Sequence, residues 1–481
     1  MNTPAVNQTM DENRNDLQAR DERRDLMDVA RLAYIYGSPC YQMARLRFRA
    51  LHQPHAGLNN VQHAREFRTG IDGRVERNVD VVKSMAWLDL SRGPLVLHVP
   101  DNADRYYSLA LTDFFTNNFA VLGRRSGGPA VGDFLLAGPR WQGTARPGIK
   151  VVRAPTNAVW AVVRILVYGP DDLAEVHALQ DQFTISRSGA SAESGPRAAH
   201  PLSMPVRILS SMNRLKFFDV LNVVLTENPP PASDAPVLDR LATIGVGPSL
   251  QFNRSDFSPR QLNALRQGLA AGQETVQAVI GGGKDGARQS RQRPWPADEL
   301  LAQLRGPRDR TAARSSRERG WMRPIGTVDN FGTDYLLRAR YAARGIGRLP
   351  TEDAMYFIAA TDAAGAPLDG QSRYVMRFPP GGLPPVNAFW SLTVYQTDKN
   401  NRRSLVSGPN GRCSLGNHSP CLRYGRHGAL EIFIQHDPPA GQEENWLPTP
   451  EGPFQLTLRA YLPRSELREG SYVIPMVRRR D

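Results

Sequence analysis

The chain has 481 residues, 41% of them hydrophobic, and a formal net charge of +13. This length exceeds what one ordinary core fills, so two or three domains are expected. Lys occurs five times, so the excess charge is carried by Arg. Three cysteines are too few for a disulfide scaffold and suit a reducing compartment. The longest apolar runs, such as Ala158–Val163, are far too short to span a bilayer.

Residues 1–24 are polar and read as a tail. The first residues contain no apolar h-region, which predicts no secretion signal and a cytoplasmic protein. From Asp25 to Leu51 apolar residues recur with helical spacing: Leu26, Val29, Leu32, Ala33, Tyr36, then Met43 and Leu46. Gly37 and Pro39 predict a break between two helices there. Between Val81 and Val167 the period becomes two. Leu95, Leu97 and Val99 alternate with Val96 and His98, and Tyr107, Leu109 and Leu111 alternate with Tyr106, Ser108 and Ala110. Such runs between turn residues predict an antiparallel sandwich.

From Pro170 to Ala343 the pattern is mostly helical. Helices are expected over Asp172–Phe183, Val206–Leu225, Pro236–Ile244 and Pro259–Ile280, the second ended by Pro229-Pro230-Pro231 and the last by Gly281-Gly282-Gly283. An Arg-rich stretch from Arg288 to Arg319, inside the region Ala287–Trp321, reads as an exposed connection. Period-two alternation returns over Tyr356–Val477, in Tyr374–Phe378, Phe389–Tyr395, Leu430–Ile434 and Phe454–Tyr461. The predicted class is mixed, mainly β. It comprises an N-terminal helical and sandwich domain over 25–168, a helical middle over 169–343 and a C-terminal sandwich over 344–481.

Motifs that would fix a reaction are missing. There is no His-Glu-x-x-His, Cys-x-x-Cys, Gly-x-Ser-x-Gly or phosphate loop. The glycines at 281–286 follow a helix, so they are a helix stop and no dinucleotide fingerprint. His52, His55 and His63 are the only local histidine group and would need a further donor to hold a metal, so no metal and no cofactor are expected.

Three segments mix large rings with polar groups: Asn78 to Leu90, Pro385 to Tyr395, and Gln435 to Pro450. Rings beside Asn, Asp and Arg can form an apolar platform with a few orienting hydrogen bonds. Rings on sandwich strands and Asn or Asp beside Pro also serve as core and as turns.

The same segments resemble the bacterial proteins that join domain of unknown function 1254 to domain of unknown function 1214. The likeness runs through Ala33-Tyr34-Ile35-Tyr36-Gly37, Trp87-Leu88-Asp89-Leu90 and Asp104-Arg105-Tyr106-Tyr107. It continues through Ala154-Pro155-Thr156-Asn157, Leu368-Asp369-Gly370, Phe389-Trp390-Ser391-Leu392-Thr393 and Asn445-Trp446-Leu447-Pro448. It implies an immunoglobulin-like sandwich, a helical middle and a C-terminal jelly roll, and it implies no reaction. The pattern Asn-x-Asp-Thr-Leu-Tyr-Ser of those proteins stands here as Asn78-Val79-Asp80-Val81-Val82-Lys83-Ser84. A valine and a lysine replace the two hydroxyl-bearing residues.

Three functions follow as expectations. One is a small-molecule binder with a cavity between the two sandwiches, its ligand residues Asn78, Arg105, Tyr106, Arg373, Trp390, Tyr395 and Trp446. Alternation permits only one of Trp390 and Tyr395 on a given face, and Trp390 is the preferred wall. A second is an enzyme in which Asp80 is the general base and Lys83 its electrostatic partner, with Arg105 and Arg373 clamping an anion. The third is assembly or nucleic-acid binding through the Arg-rich stretch. That stretch lacks interleaved aromatic residues, which argues against nucleic acid. No membrane partner is expected, and self-association is left open.

Overall fold

In the computed structural model, described residues are 4–54, 56–66, 78–102, 104–123, 131–188, 214–277, 317–318, 320–323, 330–398, 403–406, 408 and 411–480. The first half contains α1 (Pro4–Leu51), β1 (Gln62–His63), β2 (Val81–Asp89), β3 (Leu95–Val99), β4 (Tyr107–Thr112), β5 (Asn118–Gly123), β6 (Gly132–Ala137), β7 (Lys150–Arg153), β8 (Ala158–Leu166), α2 (Leu173–Gln182) and β9 (Thr184–Arg187). Then come α3 (Lys216–Glu227), α4 (Ala235–Ala242), α5 (Pro259–Gln277), β10 (Arg317–Glu318), β11 (Trp321–Met322) and α6 (Tyr335–Arg344). The last part holds β12 (Ala354–Ala359), β13 (Arg373–Phe378), β14 (Trp390–Thr397), β15 (Arg403–Leu405), β16 (Ser414–Gly416), β17 (Leu430–Gln435), β18 (Trp446–Pro448), β19 (Phe454–Tyr461), α7 (Ser465–Glu469) and β20 (Arg478–Arg480).

Helix accounts for about 31% and strand for about 29%. The chain is therefore mixed in nearly equal parts, not mainly β. The 48-residue α1 makes much of the difference: it runs from Pro4 through Pro39 without the expected break. Packing overrides the local signal. Tyr36, Cys40 and Met43 on either side of Pro39 are all buried in the helical core. A Cβ on Gly37 would lie 2.5 Å from the Leu221 side chain, so glycine there lets α3 press against α1. α5 meets α1 in the same way, since a Cβ on Gly268 would stand 2.3 Å from the Met27 carbonyl oxygen. Burial of a long apolar stripe outweighs the one hydrogen bond that a proline removes.

The expected helices appear as α2 to α5. Positions 206–213 of the second, the glycines at 281–286, and all but Arg317 and Glu318 of the run at 288–319 lie outside the described residues. Among the described residues no helix is long and apolar enough to cross a membrane.

Four sheets follow the alternation. The N-terminal pair has the orders β1-β2-β8-β4-β5 and β7-β6-β3-β9. Between them lie Val82, Leu88, Leu97, Leu109, Phe134, Val163 and Ile165. The C-terminal pair has the orders β10-β11-β12-β19-β14-β15, with β16 also on β14, and β18-β17-β13-β20. Met376, Trp390, Leu392, Ile432, Leu456 and Leu458 fill the space between them. Among the described residues, the strands pair antiparallel except at β6–β7 and β17–β18.

Candidate functional site

The two sheet pairs meet face to face. β2, β8 and β4 use their inward positions for the N-terminal core, so Lys83, Arg164, Tyr106 and Ser108 stand on the opposite face. β14 and β19 do the same in the C-terminal half. Trp390, Leu392 and Leu458 point inward, which turns Ser391, Thr393, Tyr395, Thr457, Arg459 and Tyr461 outward. Outward normally means solvent, yet Ser391, Thr393, Tyr395, Arg459 and Tyr461 are all fully or almost fully buried. They are covered by the N-terminal sheet. A small apolar cluster of Val81, Ala110, Leu166, Leu349, Phe389 and Leu462 seals one side of the joint.

Asp80 lies in this layer, 1% exposed. The Asn78 side-chain oxygen accepts from the Asp80 amide at 2.8 Å, forming a turn that aims the carboxylate across the joint. Ser391 donates to one carboxylate oxygen at 2.6 Å and Ser414 to the other at 3.2 Å. His418 Nε2 stands 3.8 Å from Asp80. Burial lowers the His418 pKa against the opposing pull of Asp80. Cys413 lies near enough that burial, together with Asp80, pushes its thiol up to about 11. Asn78 donates from its amide to the Tyr461 hydroxyl.

Cations gather beside the carboxylate. Arg459 donates to Thr393 Oγ1 at 2.7 Å and to the Tyr395 hydroxyl. Burial would lower its pKa, but Tyr395 and Asp80 hold it above the ordinary value. Lys83 and Arg164 are direct partners across β2 and β8, and Arg164 and Ser108 across β8 and β4. Directly paired residues share a face, so Lys83, Arg164 and Ser108 form a row across three strands. Burial, then Arg164 and Arg459, bring the Lys83 pKa down to about 8. Several buried polar atoms in the layer have no partner among the described residues: Arg164 Nη1, Thr457 Oγ1 and His418 Nδ1. The Tyr106 and Ser108 hydroxyls have at most each other.

Two family models match the two halves that build this joint. Residues 58–187 match the protein of unknown function DUF1254, and residues 353–465 match the protein of unknown function DUF1214. The chain belongs to the family that joins these two domains. Among solved structures, the crystal structure of the VPA0106 protein from Vibrio parahaemolyticus is 25% identical, with a TM-score of 0.69. That match covers 95% of this chain and 100% of that one. An uncharacterised protein from Burkholderia cenocepacia shares 11% identity, covers 97% of this chain and 98% of that one, and gives a TM-score of 0.40. No match was found among curated proteins.

The DUF1254–DUF1214 joint collects part of the site expected from sequence. Asn78, Asp80, Lys83, Tyr106 and Tyr395 all reach it. Trp390 does not: its ring is in the DUF1214 core against Phe378, with centroids 5.3 Å apart. Alternation gave Tyr395 the face assigned to Trp390. Trp446 is buried elsewhere and donates through its indole to the Gln435 carbonyl at 2.9 Å. Arg105 and Arg373 form no clamp. Arg105 grips Asp172 through two bonds of 2.6 and 2.7 Å, and Arg373 is exposed on β13.

Lys83 feels Arg164 and Arg459, not Asp80, as its charged neighbours. The expected ion pair of Asp80 with Lys83 is thus replaced by hydroxyl donors on the carboxylate and by a cluster of cations. Sequence reasoning missed Arg164, Ser391, Ser414, His418 and Arg459. The available signal was an arginine between Leu458 and Ala460, but an exposed arginine gives the same alternation.

Two cavities border β2 further along. One is lined by Met85, Leu97, Leu109, Phe183 and Ile185. The other, of about 130 Å³, lies between Leu46, Leu51, Trp87 and Trp160. Both are lined by residues before position 190 and neither is lined by Asp80 or by the C-terminal sheets, so neither is the inter-domain cavity expected from sequence. Among the described residues no three His, Cys, Asp or Glu side chains converge as metal ligands. His52 and His63 turn to different partners, the Phe48 carbonyl and the Ser84 hydroxyl, while His55 lies outside the described residues.

Proposed function

We propose that the chain binds a small anionic molecule in the polar layer between its DUF1254 and DUF1214 halves. The observation that carries this is the Lys83–Arg164–Arg459 cluster, set among buried polar atoms that find no partner among the described residues. An orphaned buried polar group costs about 1–3 kcal/mol, and a layer of them is expected to hold water or a ligand in solution. Arg164 donates one amino group to the Gly347 carbonyl and keeps Nη1 free for an anion. Ser108 and Tyr106 add hydroxyls beside it.

A second reading, turnover with Asp80 as proton acceptor, is favoured by the 2.6 Å bond from Ser391. It requires that Asp80→Asn keep ligand binding and lose turnover. The fold reading that goes with the proposal is an immunoglobulin-like first sandwich and a jelly-roll second one, in a cytoplasmic protein with Cys40, Cys413 and Cys421 as free thiols.

The test is a thermal-shift and calorimetric screen of small carboxylates and phosphates at constant ionic strength. At least one anion should raise Tm by several degrees, and Arg164→Gln should remove that response while the variant still melts cooperatively. If no anion exceeds sodium chloride, or if Arg164→Gln responds like the wild type, the proposal falls.

A further inference from the structure

Lys83 is unusual among the charged groups of the joint. It is half-buried on the face between the two sheets, and it makes no hydrogen bond or ion pair with any described side chain. Arg164 and Arg459 are its charged neighbours. A buried lysine normally finds a carboxylate. Beside it on the neighbouring strands stand Arg164, whose Nη1 is buried with no partner among the described residues, and Ser108.

The row of Lys83, Arg164 and Ser108 spans three adjacent strands, which places neighbouring side chains about 5 Å apart. An anionic group held on Arg164 would bring an atom one or two bonds away to the lysine nitrogen. A short oxo acid has that shape, with a carboxylate next to a ketone. We propose that Lys83 condenses with the ketone of such an acid to form an imine, the carboxylate being held by Arg164. This rests on the anion-binding reading above.

The step balances without an oxidant or reductant. The Lys83 nitrogen lone pair forms a bond to the carbonyl carbon, the carbon–oxygen bond breaks, and the oxygen leaves as water carrying the two amine protons. Ser108 and Tyr106 can donate to the departing oxygen. A neighbouring cation and a drier environment raise the neutral amine fraction that condensation needs. The Lys83 amine, at about 8, is partly neutral near pH 7, whereas an ordinary lysine is not.

The full chain is incubated separately with pyruvate and with 2-oxoglutarate, treated with sodium borohydride, and read by intact mass and peptide mapping. Only five lysines compete: Lys83, Lys150, Lys216, Lys284 and Lys399. At least one acid should leave a single reduced adduct on Lys83, tenfold or more above any other lysine. The adduct should be absent from Lys83→Arg, whose guanidinium cannot condense with a ketone. Mapping in the wild type reads the site even where a variant folds poorly. No adduct with either acid, or labelling spread evenly over the lysines, overturns the proposal. A Tm rise without an adduct overturns the imine and leaves anion binding standing. Neither signal removes both.

Discussion

One face of the β2–β8–β4 sheet serves two neighbours and is written in two chemistries. Toward the helices it carries Trp87 and Trp160, stacked at 5.9 Å and buried or half-buried against α1. A few residues back along the same strands it carries Lys83, Arg164 and Ser108 against β14 and β19. Apolar contact is non-directional and tolerates repacking, so the helical end can serve as a fixed joint. The polar end is stable only if its donors and acceptors are satisfied, so it responds to whatever enters. The difference assigns stability to one end and recognition to the other.

The largest effect should come from the apolar end. Trp87→Ala removes a buried ring that also touches Phe114, with centroids 6.1 Å apart. It should cost about 3 kcal/mol, at the lower end for such changes because the ring already borders a cavity. Urea denaturation measures it. The anion response should be unchanged once the variant is studied below its midpoint. A loss of that response at full folding would mean that the two ends are not separable.

Asp80→Ala tests the polar end with a smaller loss. It strips Ser391 and Ser414 of their acceptor in a buried place and should cost about 2 kcal/mol. Ser391→Ala together with Ser414→Ala removes the donors instead. If the Asp80 contacts are what matter, adding Asp80→Asn to that pair should cost less than Asp80→Asn does in the wild type. Additive losses would show that Asp80 acts through other neighbours.

The division of the face explains how much of the molecule was legible in the sequence. Strand positions follow from alternation, and the inward rows of Leu95, Leu97 and Val99 or Leu392 and Leu458 lie where period two puts them. Alternation says which residues share a face, but not what covers the other face. Ser391, Thr393, Tyr395 and Arg459 have the pattern of a solvated surface and are buried only because a second domain closes over them. The rings of Trp390 and Trp446 drew attention by their size, while the hydroxyls between them did the work at the joint. Asn78 and Asp80 were legible as polar groups of a turn before an apolar strand, but Asp80 is buried in the joint and does not stand at the rim of a cavity. The unbroken α1 was not, since the contacts that carry it past Pro39 come from α3 and α5, far away in sequence.

The smallest effect is the most discriminating. Lys83 is held in its joint at a cost, because its pKa falls from 10.5 to about 8 on folding. Below about pH 8 both the folded and the unfolded chain carry the charge, and the whole penalty is present. Between pH 8 and 10.5 the unfolded chain binds the extra proton, so wild-type stability gains as pH rises through that window. Lys83→Met keeps the stem and drops the amine. It should therefore be more stable than wild type by about 1 kcal/mol at pH 7, an amount reduced because Lys83 is only partly buried. The gap should close by pH 10. An anion that fills the layer reverses the sign at pH 7, since it gives the wild-type ammonium the counter-charge that the protein withholds. Urea curves at pH 7 and 10, with and without the anion found in the screen, read all four corners. A gap that ignores both pH and anion would place the lysine in open water and end the contrast between the two ends of the sheet.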